Sequence, residues 1–504
     1  MEGRLAEAAA EYHRALALDA MCFDAWYALG CIEFSRESAT EAVRCFRRAL
    51  AVRPEHARTQ FNLAWALFAI GEIDAALDGF RIVAAHSPEL RREALGRIAR
   101  YIPGSPRADN AAVLKARRDW ATLEAIAEGP IKPRRRRAVP RGRPVRIGYV
   151  SAFFGPPNWL KPVWGVINHH DRARFEIHLF SDGKPPTEES GYRRDARDRI
   201  HDVRGLSNQK LAAAVARLGI DILVDLNGYS LQDRFGLFMR RPAPVIIGWF
   251  NMYATTGIDA FDYIIGDAAV IPEDEERFYS ETVARVPGAY IAFSVLYPVP
   301  DVTPPPCLAA GNLTFGSFAS QYKLTDSVIE AWAAILRRAP SSRLLLKNRA
   351  LGDASNQAAL RERFRRYDIA EDRVLIEGPA DHRDFLAAYA RVDIALDTFP
   401  YNGGTTTSEA LWQGVPVLAF NGDRWVSRTS RSLLLAAGLG DWCAPDLAGY
   451  IEKAAAFAHA TTTPAALAVL RSTMRSRLSV APVCDSATLC RALEDLYRRA
   501  TKRL

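Results

Sequence analysis

The residues best suited to chemistry lie between Asp393 and Pro416, in D-I-A-L-D-T-F-P-Y-N-G-G-T-T-T-S-E-A-L-W-Q-G-V-P. Ile394–Leu396 is a short apolar run of the kind a buried parallel strand shows. Pro400, Asn402, Gly403 and Gly404 break it into a loop. Thr405 or Thr406 can then cap a helix carrying Ala410, Leu411 and Trp412, which ends at Gly414 with Pro416 just beyond. A helix start presents free N–H groups and the positive end of a dipole, and both suit a phosphate. Glu409, one turn on, shares a face with these threonines and can accept hydrogen bonds from a ribose. A nucleoside diphosphate fits this arrangement; the other reading is a plain, well-capped β-α unit with no ligand.

A strand, a loop and a helix hold such a site only inside a larger sheet, and the flanking sequence supplies one. Strands are predicted at Leu313–Phe318, Arg343–Lys347, Val374–Gly378 and Val417–Phe420, and helices at Asp326–Arg338, Ala358–Tyr367, Asp384–Arg391 and Ser430–Ala437, with closing helices to Leu504. An earlier series has strands at Arg146–Ala152, Phe175–Ser181, Ile220–Leu226, Val245–Phe250 and Phe261–Asp267, with a helix at Ser207–Leu218. Strands alternating with helices imply parallel α/β sheets. A proline-rich, aperiodic stretch from Pro287 to Gly311 reads as the junction between two lobes. Two Rossmann-like lobes in tandem place a ligand between them, at the carboxyl ends of the strands. The chain has neither a G-x-G-x-x-G nor a Walker A loop, which removes the main support for a dinucleotide oxidoreductase or an ATPase.

In front of the lobes the sequence repeats. Phe61, Leu63 and Ala64 restate Tyr27, Leu29 and Gly30, and Ala76, Phe80 and Pro88 restate Ala42, Phe46 and Pro54, each 34 positions on. That is the tetratricopeptide period, with two amphipathic helices per unit. Residues 3 to 20 match the second helix of an earlier unit, so the chain is expected to start inside a repeat. The repeats serve either as a protein-binding groove or as a packed extension of the next domain. Helices are predicted at Arg92–Tyr101 and Asn110–Ile126, followed by a basic run from Lys132 to Arg137 with Arg141, Arg143 and Arg146 beyond. No aromatic residue interleaves that run, so it reads as a solvated linker rather than a nucleic-acid site. The division is therefore 1–90 repeats, 91–145 helical transition and linker, 146–300 first lobe, and 301–504 second lobe with the closing helices.

At 504 residues with 49% hydrophobic and 25% charged side chains, the composition is that of a globular protein of about three domains. No run of apolar residues is long enough for a membrane span. The charged start M-E-G-R-L-A-E-A is unlike a signal peptide, and the seven cysteines are scattered without C-x-x-C spacing. Reduced thiols in the cytoplasm, and no structural zinc, are the expectations.

The segment G-T-T-T-x-E-A-L-W-x-G-V-P, preceded by L-D-T-F-P-Y-N, closely resembles the donor-site signature of the O-linked N-acetylglucosamine transferase family, in its bacterial branch with tetratricopeptide repeats. Further matching stretches are I-D-I-L-V-D-L-N-G-Y, R-R-P-A-P-V, T-T-G-I-D-A-F-D-Y, L-T-F-G-S-F, S-R-L-L-L-K-N and S-R-T-S-R-S-L-L, so the likeness covers most of the chain. The resemblance implies a GT-B fold and an inverting, metal-independent transfer of N-acetylglucosamine from a UDP-sugar to Ser or Thr of a protein. No cofactor, metal, nucleic acid or membrane is implied, and the repeats would hold the protein acceptor. Lys323 falls at the family's diphosphate-binding lysine. Asn402, Gly403, Gly404, Thr405 and Thr406 would hold the diphosphate, and Glu409 takes the place of a ribose-binding carboxylate. Lys347, at a strand end, either assists the nucleotide or snorkels, and Arg428 is a further candidate for the same cleft.

Three positions depart from the family pattern. Pro157 stands where members carry the histidine of D-F-x-x-H, so a histidine base is missing. Tyr229, in G-Y-S, stands where bacterial relatives have a histidine. Phe385 replaces a nucleotide-contacting histidine and can stack on a uracil instead, with His382 nearby. Proton removal is then expected to use the donor's own phosphate, Tyr229, or Lys161 if burial lowers its pKa. His169 and His170 read as structural, since metal ligation needs partners the sequence does not offer. The leading expectation is a protein O-glycosyltransferase. The alternatives are a nucleotide-binding repeat module that no longer catalyses, and a GT-B transferase with another sugar or a lipid or polysaccharide acceptor.

Overall fold

The structure, a computed structural model, describes residues 2–129, 142–156 and 160–502. The Lys132–Arg137 run, Arg141 and Pro157 lie outside the described residues.

The N-terminal quarter is helical. Helices Phe23–Ser35 and Ala39–Val52 form one hairpin, and Ala57–Ala69 and Ile73–His86 form the next. The 34-residue spacing has a packing cause. A Cβ at Gly30 would lie 2.5 Å from the ring of Phe46, and one at Gly79 would lie 2.9 Å from the Ala64 Cβ, so small residues recur where paired helices touch. Phe61 and Phe80 meet edge to face at 5.1 Å in the second hairpin. Helices Arg91–Tyr101 and Asn110–Ala127 then lead to the first sheet.

That sheet contains β1 (Val145–Ser151), β2 (Phe175–Ser181), β3 (Arg199–Asp202), β4 (Ile222–Asp225), β5 (Val245–Gly248), β6 (Tyr263–Gly266) and β7 (Thr282–Arg285). Its order is β3-β2-β1-β4-β5-β6-β7, and every pairing is parallel. The second sheet contains β8 (Thr314–Ser317), β9 (Arg343–Lys347), β10 (Val374–Glu377), β11 (Ile394–Leu396), β12 (Val417–Phe420) and β13 (Cys443–Ala444), in the parallel order β10-β9-β8-β11-β12-β13. Strand order reverses between β1 and β4 in one lobe and between β8 and β11 in the other. The loops leaving those four strands therefore open onto the two crevices where such sheets bind ligands.

β3, β7 and β13 were not anticipated from the sequence. All three lie at sheet edges, and β3 and β7 carry no buried apolar run that would announce a strand. The last helix, Ser486–Lys502, was expected to close the second lobe but crosses back onto the first. Ser486 bonds Ser294 at 2.7 Å, Glu494 bonds His170 at 3.0 Å, and Tyr497 meets the Tyr149 hydroxyl at 3.2 Å. His170 is buried in that network and His169 bonds the Gly165 carbonyl, so both histidines have structural partners. Among the described residues no helix is long and apolar enough to cross a membrane.

Arg117 joins the transition helix to the first lobe. Its buried guanidinium donates to the carbonyls of Ala99, Met252 and Thr255 and lies 3.7 Å from the Tyr229 ring centroid. Arg117→Met keeps much of the volume but orphans these carbonyls, so it is expected to cost roughly 2–4 kcal/mol of stability. A denaturation midpoint unchanged from wild type would refute this bracing role.

Candidate functional site

Helix Thr405–Trp412 starts directly after the loop that leaves β11. Its N-cap is Gly404, so Thr405 and Thr406 are its first two residues rather than its cap. This corrects the sequence expectation; three consecutive threonines do not mark which residue turns first. No side chain caps the helix, so its first-turn N–H groups lack a capping partner. Thr405 and Thr406 are half-buried, whereas Thr407 and Ser408 are buried, with the Thr407 hydroxyl on Ser430 at 2.9 Å. The glycines also serve the loop's close packing: a Cβ at Gly403 would lie 2.4 Å from the Thr407 hydroxyl.

Lys323 reaches this loop from the other side of the switch point, in the turn Gln321–Lys323 that follows β8. Its ammonium donates to the Asn402 carbonyl at 2.7 Å and lies 4.3 Å from the Tyr401 ring centroid. Burial pushes its pKa down to about 8, with the Asp397 carboxylate opposing. Asp397 is itself pushed up to about 6 by burial, opposed by Ser430, the Gly403 N–H and Lys323. One Asp397 oxygen accepts from the Gly403 N–H at 2.8 Å and the other has no partner. Asp397 was missed by the sequence reading, although an acidic residue just past a buried strand is a signal in itself.

Glu409 is on the expected face of its helix but is already engaged. Its carboxylate lies 2.6 Å from the Lys161 ammonium and 2.9 Å from His382 Nε2. Lys161 comes from helix Lys161–His169 of the first lobe, so the pair spans the cleft. Both side chains are about 95% buried, and the ammonium also lies 3.9 Å from the Tyr297 ring centroid. Burial lowers the Lys161 pKa while Glu409 opposes it; the Glu409 carboxyl, which burial alone would raise, is held low by His382 and Lys161. A lysine in an ion pair is held as the ammonium and must give up a proton before it can take one, which works against Lys161 as a base.

Tyr229 is turned to another job as well. Its hydroxyl donates to the Thr256 carbonyl at 2.6 Å, and burial raises its pKa, so it holds the adjacent loop instead of standing ready to ionise. Asp225, at the end of β4, is a titratable group the sequence reading passed over: it is fully buried and burial pushes it up to about 7. The rings of Phe68, Tyr229, Tyr253, Tyr322 and Tyr401 line a cavity of ≈110 Å³ where repeats and both lobes meet. That is room for a side chain rather than a nucleotide.

The remaining candidates separate. Phe385 is half-buried and packs edge-on against Phe318 at 5.3 Å, just past β8, leaving part of its ring exposed. Lys347 is buried and donates to the Gly378 carbonyl at 3.0 Å, tying β9 to the end of β10. Arg428 forms a second ion pair between the lobes, with Glu275 at 2.6 Å, and leaves one buried nitrogen without a partner.

The chain matches the family described as Glycosyl transferase family 41 over residues 122–294 and 307–493. It is 31% identical over 369 residues to the probable UDP-N-acetylglucosamine–peptide N-acetylglucosaminyltransferase SPINDLY of Arabidopsis thaliana, covering 72% of this chain and 40% of that one. It is 29% identical over 368 residues to the probable UDP-N-acetylglucosamine–peptide N-acetylglucosaminyltransferase SEC of the same plant, covering 70% of this chain and 36% of that one. The chain thus spans about two fifths of the curated relatives it matches. Among solved structures it resembles a lysine-to-methionine mutant of the Thermobaculum terrenum O-GlcNAc transferase, with a TM-score of 0.86 and 29% identity over 99% of this chain and 95% of that one.

The Lys161–Glu409 pair yields a stability prediction. Removing one member of a buried pair strands the other, so Lys161→Met is expected to cost about 3 kcal/mol. Lys161→Met with Glu409→Met should recover most of that loss. A double variant no more stable than Lys161→Met would mean the two charges are not coupled.

Proposed function

The chain belongs to glycosyl transferase family 41, and on that premise we propose that it transfers a sugar, N-acetylglucosamine first among the choices, from a UDP-sugar to Ser or Thr of a protein. The observation that carries the proposal is the convergence of Lys323 and the uncapped helix Thr405–Trp412 on one glycine loop at a topological switch point. A fixed ammonium and a row of backbone N–H groups are what a leaving diphosphate needs as its charge grows. In this proposal Asn402, Gly403, Gly404, Thr405 and Thr406 hold the phosphates and Phe385 packs on the base. Glu409 contacts the ribose while keeping Lys161 as its counter-ion.

The acceptor hydroxyl oxygen attacks the anomeric carbon from the face opposite the diphosphate. The carbon–oxygen bond to the diphosphate breaks, UDP leaves, and the hydroxyl proton goes to a phosphate oxygen of the donor. What supports that proton route is the engagement of the two side-chain alternatives, Tyr229 with Thr256 and Lys161 with Glu409. The repeats hold the acceptor protein, and the cytoplasm is the proposed location, in keeping with seven cysteines that are all free thiols.

The direct test is incubation of the protein with a panel of nucleotide sugars, with and without a protein acceptor mixture, measuring released diphosphate and sugar on protein. UDP-N-acetylglucosamine should support acceptor-dependent release that survives EDTA. UDP binding with no turnover on any donor would favour the alternative of a nucleotide-binding repeat module, the reading that Pro157 in the histidine's place supports.

Lys323 gives a sharper outcome. Lys323→Ala should lower kcat by about a hundredfold or more, the scale of a lost electrostatic stabiliser. Because its pKa is lowered to about 8, the ammonium is present below that pH and lost above it. The kcat/KM profile, which reports the free enzyme, should therefore fall as pH rises through about 8. Lys323→Arg stays charged throughout and should remove that limb even if it is a slower enzyme. A limb that persists in Lys323→Arg assigns it to another group.

A further inference from the structure

The repeats meet the second lobe beside the turn that carries Lys323. Phe68, in the last turn of helix Ala57–Ala69, stacks on Tyr101 at 3.6 Å and 11°. Its other neighbour is Tyr322, at 5.0 Å and 20°. Tyr322 immediately precedes Lys323 and meets Tyr401 edge-on at 5.8 Å and 87°, and Tyr401 is the ring on which the ammonium rests. Just past Phe68, Gly71 has φ +90°, and a Cβ there would lie 2.5 Å from the Leu324 carbonyl oxygen. The repeat backbone therefore touches the backbone on one side of Lys323 while Phe68 grips the ring on the other. Elsewhere the same interface is polar: Thr40 bonds Asn356 at 2.8 Å and Glu37 pairs with Arg349 at 2.7 Å.

We propose that Phe68 is a positioning residue for sugar transfer, which through Tyr322 and Tyr401 fixes the turn that aims Lys323 at the glycine loop. The proposal rests on the reading of Lys323 as the diphosphate's partner. It makes the second hairpin of repeats a structural part of the donor site, not only a surface for the acceptor. Ring stacking suits this task, because two parallel planes set an orientation as well as a distance. A small displacement of a catalytic group is costly even when its cause lies far from the chemistry.

Removal of the ring should do two things together. It should loosen the aim of Lys323, and it should admit water beside an ammonium whose pKa is held down by burial. The groups facing that ammonium are Asp397 beyond β11, Tyr401 in the loop and Tyr322 in its own turn, while Arg100 and Tyr101 of helix Arg91–Tyr101 act on Tyr322, and Tyr253 of the first lobe acts on Tyr401. Tyr322 is pushed up to about 12 and Tyr401 and Tyr253 are raised further by burial, so they stay neutral, which leaves Lys323 and Asp397 as the titrating pair.

The test compares Phe68→Ala, Phe68→Leu and Phe68→Tyr with Arg349→Ala, which breaks the same interface away from Lys323. In Phe68→Ala, kcat is expected to fall by about tenfold to a hundredfold, and the alkaline limb of kcat/KM should move to higher pH. Phe68→Leu keeps most of the volume without the ring and should share both effects, carrying the test should Phe68→Ala not fold. Phe68→Tyr should restore both, and Arg349→Ala should behave as wild type. Wild-type kcat and an unmoved limb in Phe68→Leu would overturn the proposal, as would equal losses in Arg349→Ala, which would mean plain interface packing. Failure of the underlying reading looks different: the wild-type limb would then persist in Lys323→Arg, whatever Phe68 does.

Discussion

Lys323 donates to the Asn402 carbonyl across 2.7 Å, and that bond ties the turn after β8 to the glycine loop after β11. Much of the site depends on it. A lysine at this depth loses hydration, and a backbone carbonyl, the face of Tyr401 and the nearby Asp397 are what it receives in exchange. The exchange is incomplete, and the lowered pKa is its measure. An ammonium only partly compensated by the protein has interaction capacity left for an anion. The helix beginning at Thr405 is in the same condition, with backbone donors that no side chain caps.

The lobes are fastened by charges as well as by apolar packing. Lys161 with Glu409 and Arg428 with Glu275 each join one lobe to the other, and Asp267 of the first lobe accepts from Ser432 of the second at 2.6 Å. Buried pairs of this kind add little net stability, since desolvation offsets most of the attraction, but they are costly to misalign. Their effect is to fix the register of the lobes. The last helix, returning to the first lobe, and Arg424, which donates to the Ser105 carbonyl ahead of the first lobe, extend that register to the closing helix and to the helical segment before the first lobe.

Much of this was legible in the sequence, because periodicity and turn chemistry are local. β2, β9, β11, β12 and helix Asp326–Arg338 fall where apolar runs and breakers put them. The repeats were legible because Gly30 and Ala64, 34 positions apart, both sit where paired helices touch, Gly30 against Phe46 and Ala64 against Gly79, which imprints a period. The edge strands were not, since an edge carries polar residues to avoid further pairing. Partners were the least legible. Lys161 and Glu409 are 248 positions apart, and nothing in either segment names the other. The same holds for Phe68 and Tyr322, which belong to different domains. Local pattern places Glu409 on the right face of its helix but cannot say that a lysine from the opposite lobe already occupies it.

That occupied carboxylate bears on where an anion goes. Two lysines approach the cleft, and their surroundings leave them unequal. Lys161 meets a full carboxylate at 2.6 Å whose pKa is held low, so the two charges cancel at close range. Lys323 faces Asp397, whose carboxyl is pushed up to about 6 and whose bound oxygen is engaged with the Gly403 N–H. As pH falls through that value Asp397 becomes neutral, while Lys323 remains charged until about 8. Below about 6 the uncancelled positive charge therefore lies on Lys323, next to the positive end of helix Thr405–Trp412, and between about 6 and 8 the Asp397 carboxylate offsets part of it. On the proposed function a diphosphate would meet this imbalance at the second lobe, while Lys161 remains the counter-ion that keeps Glu409 charged.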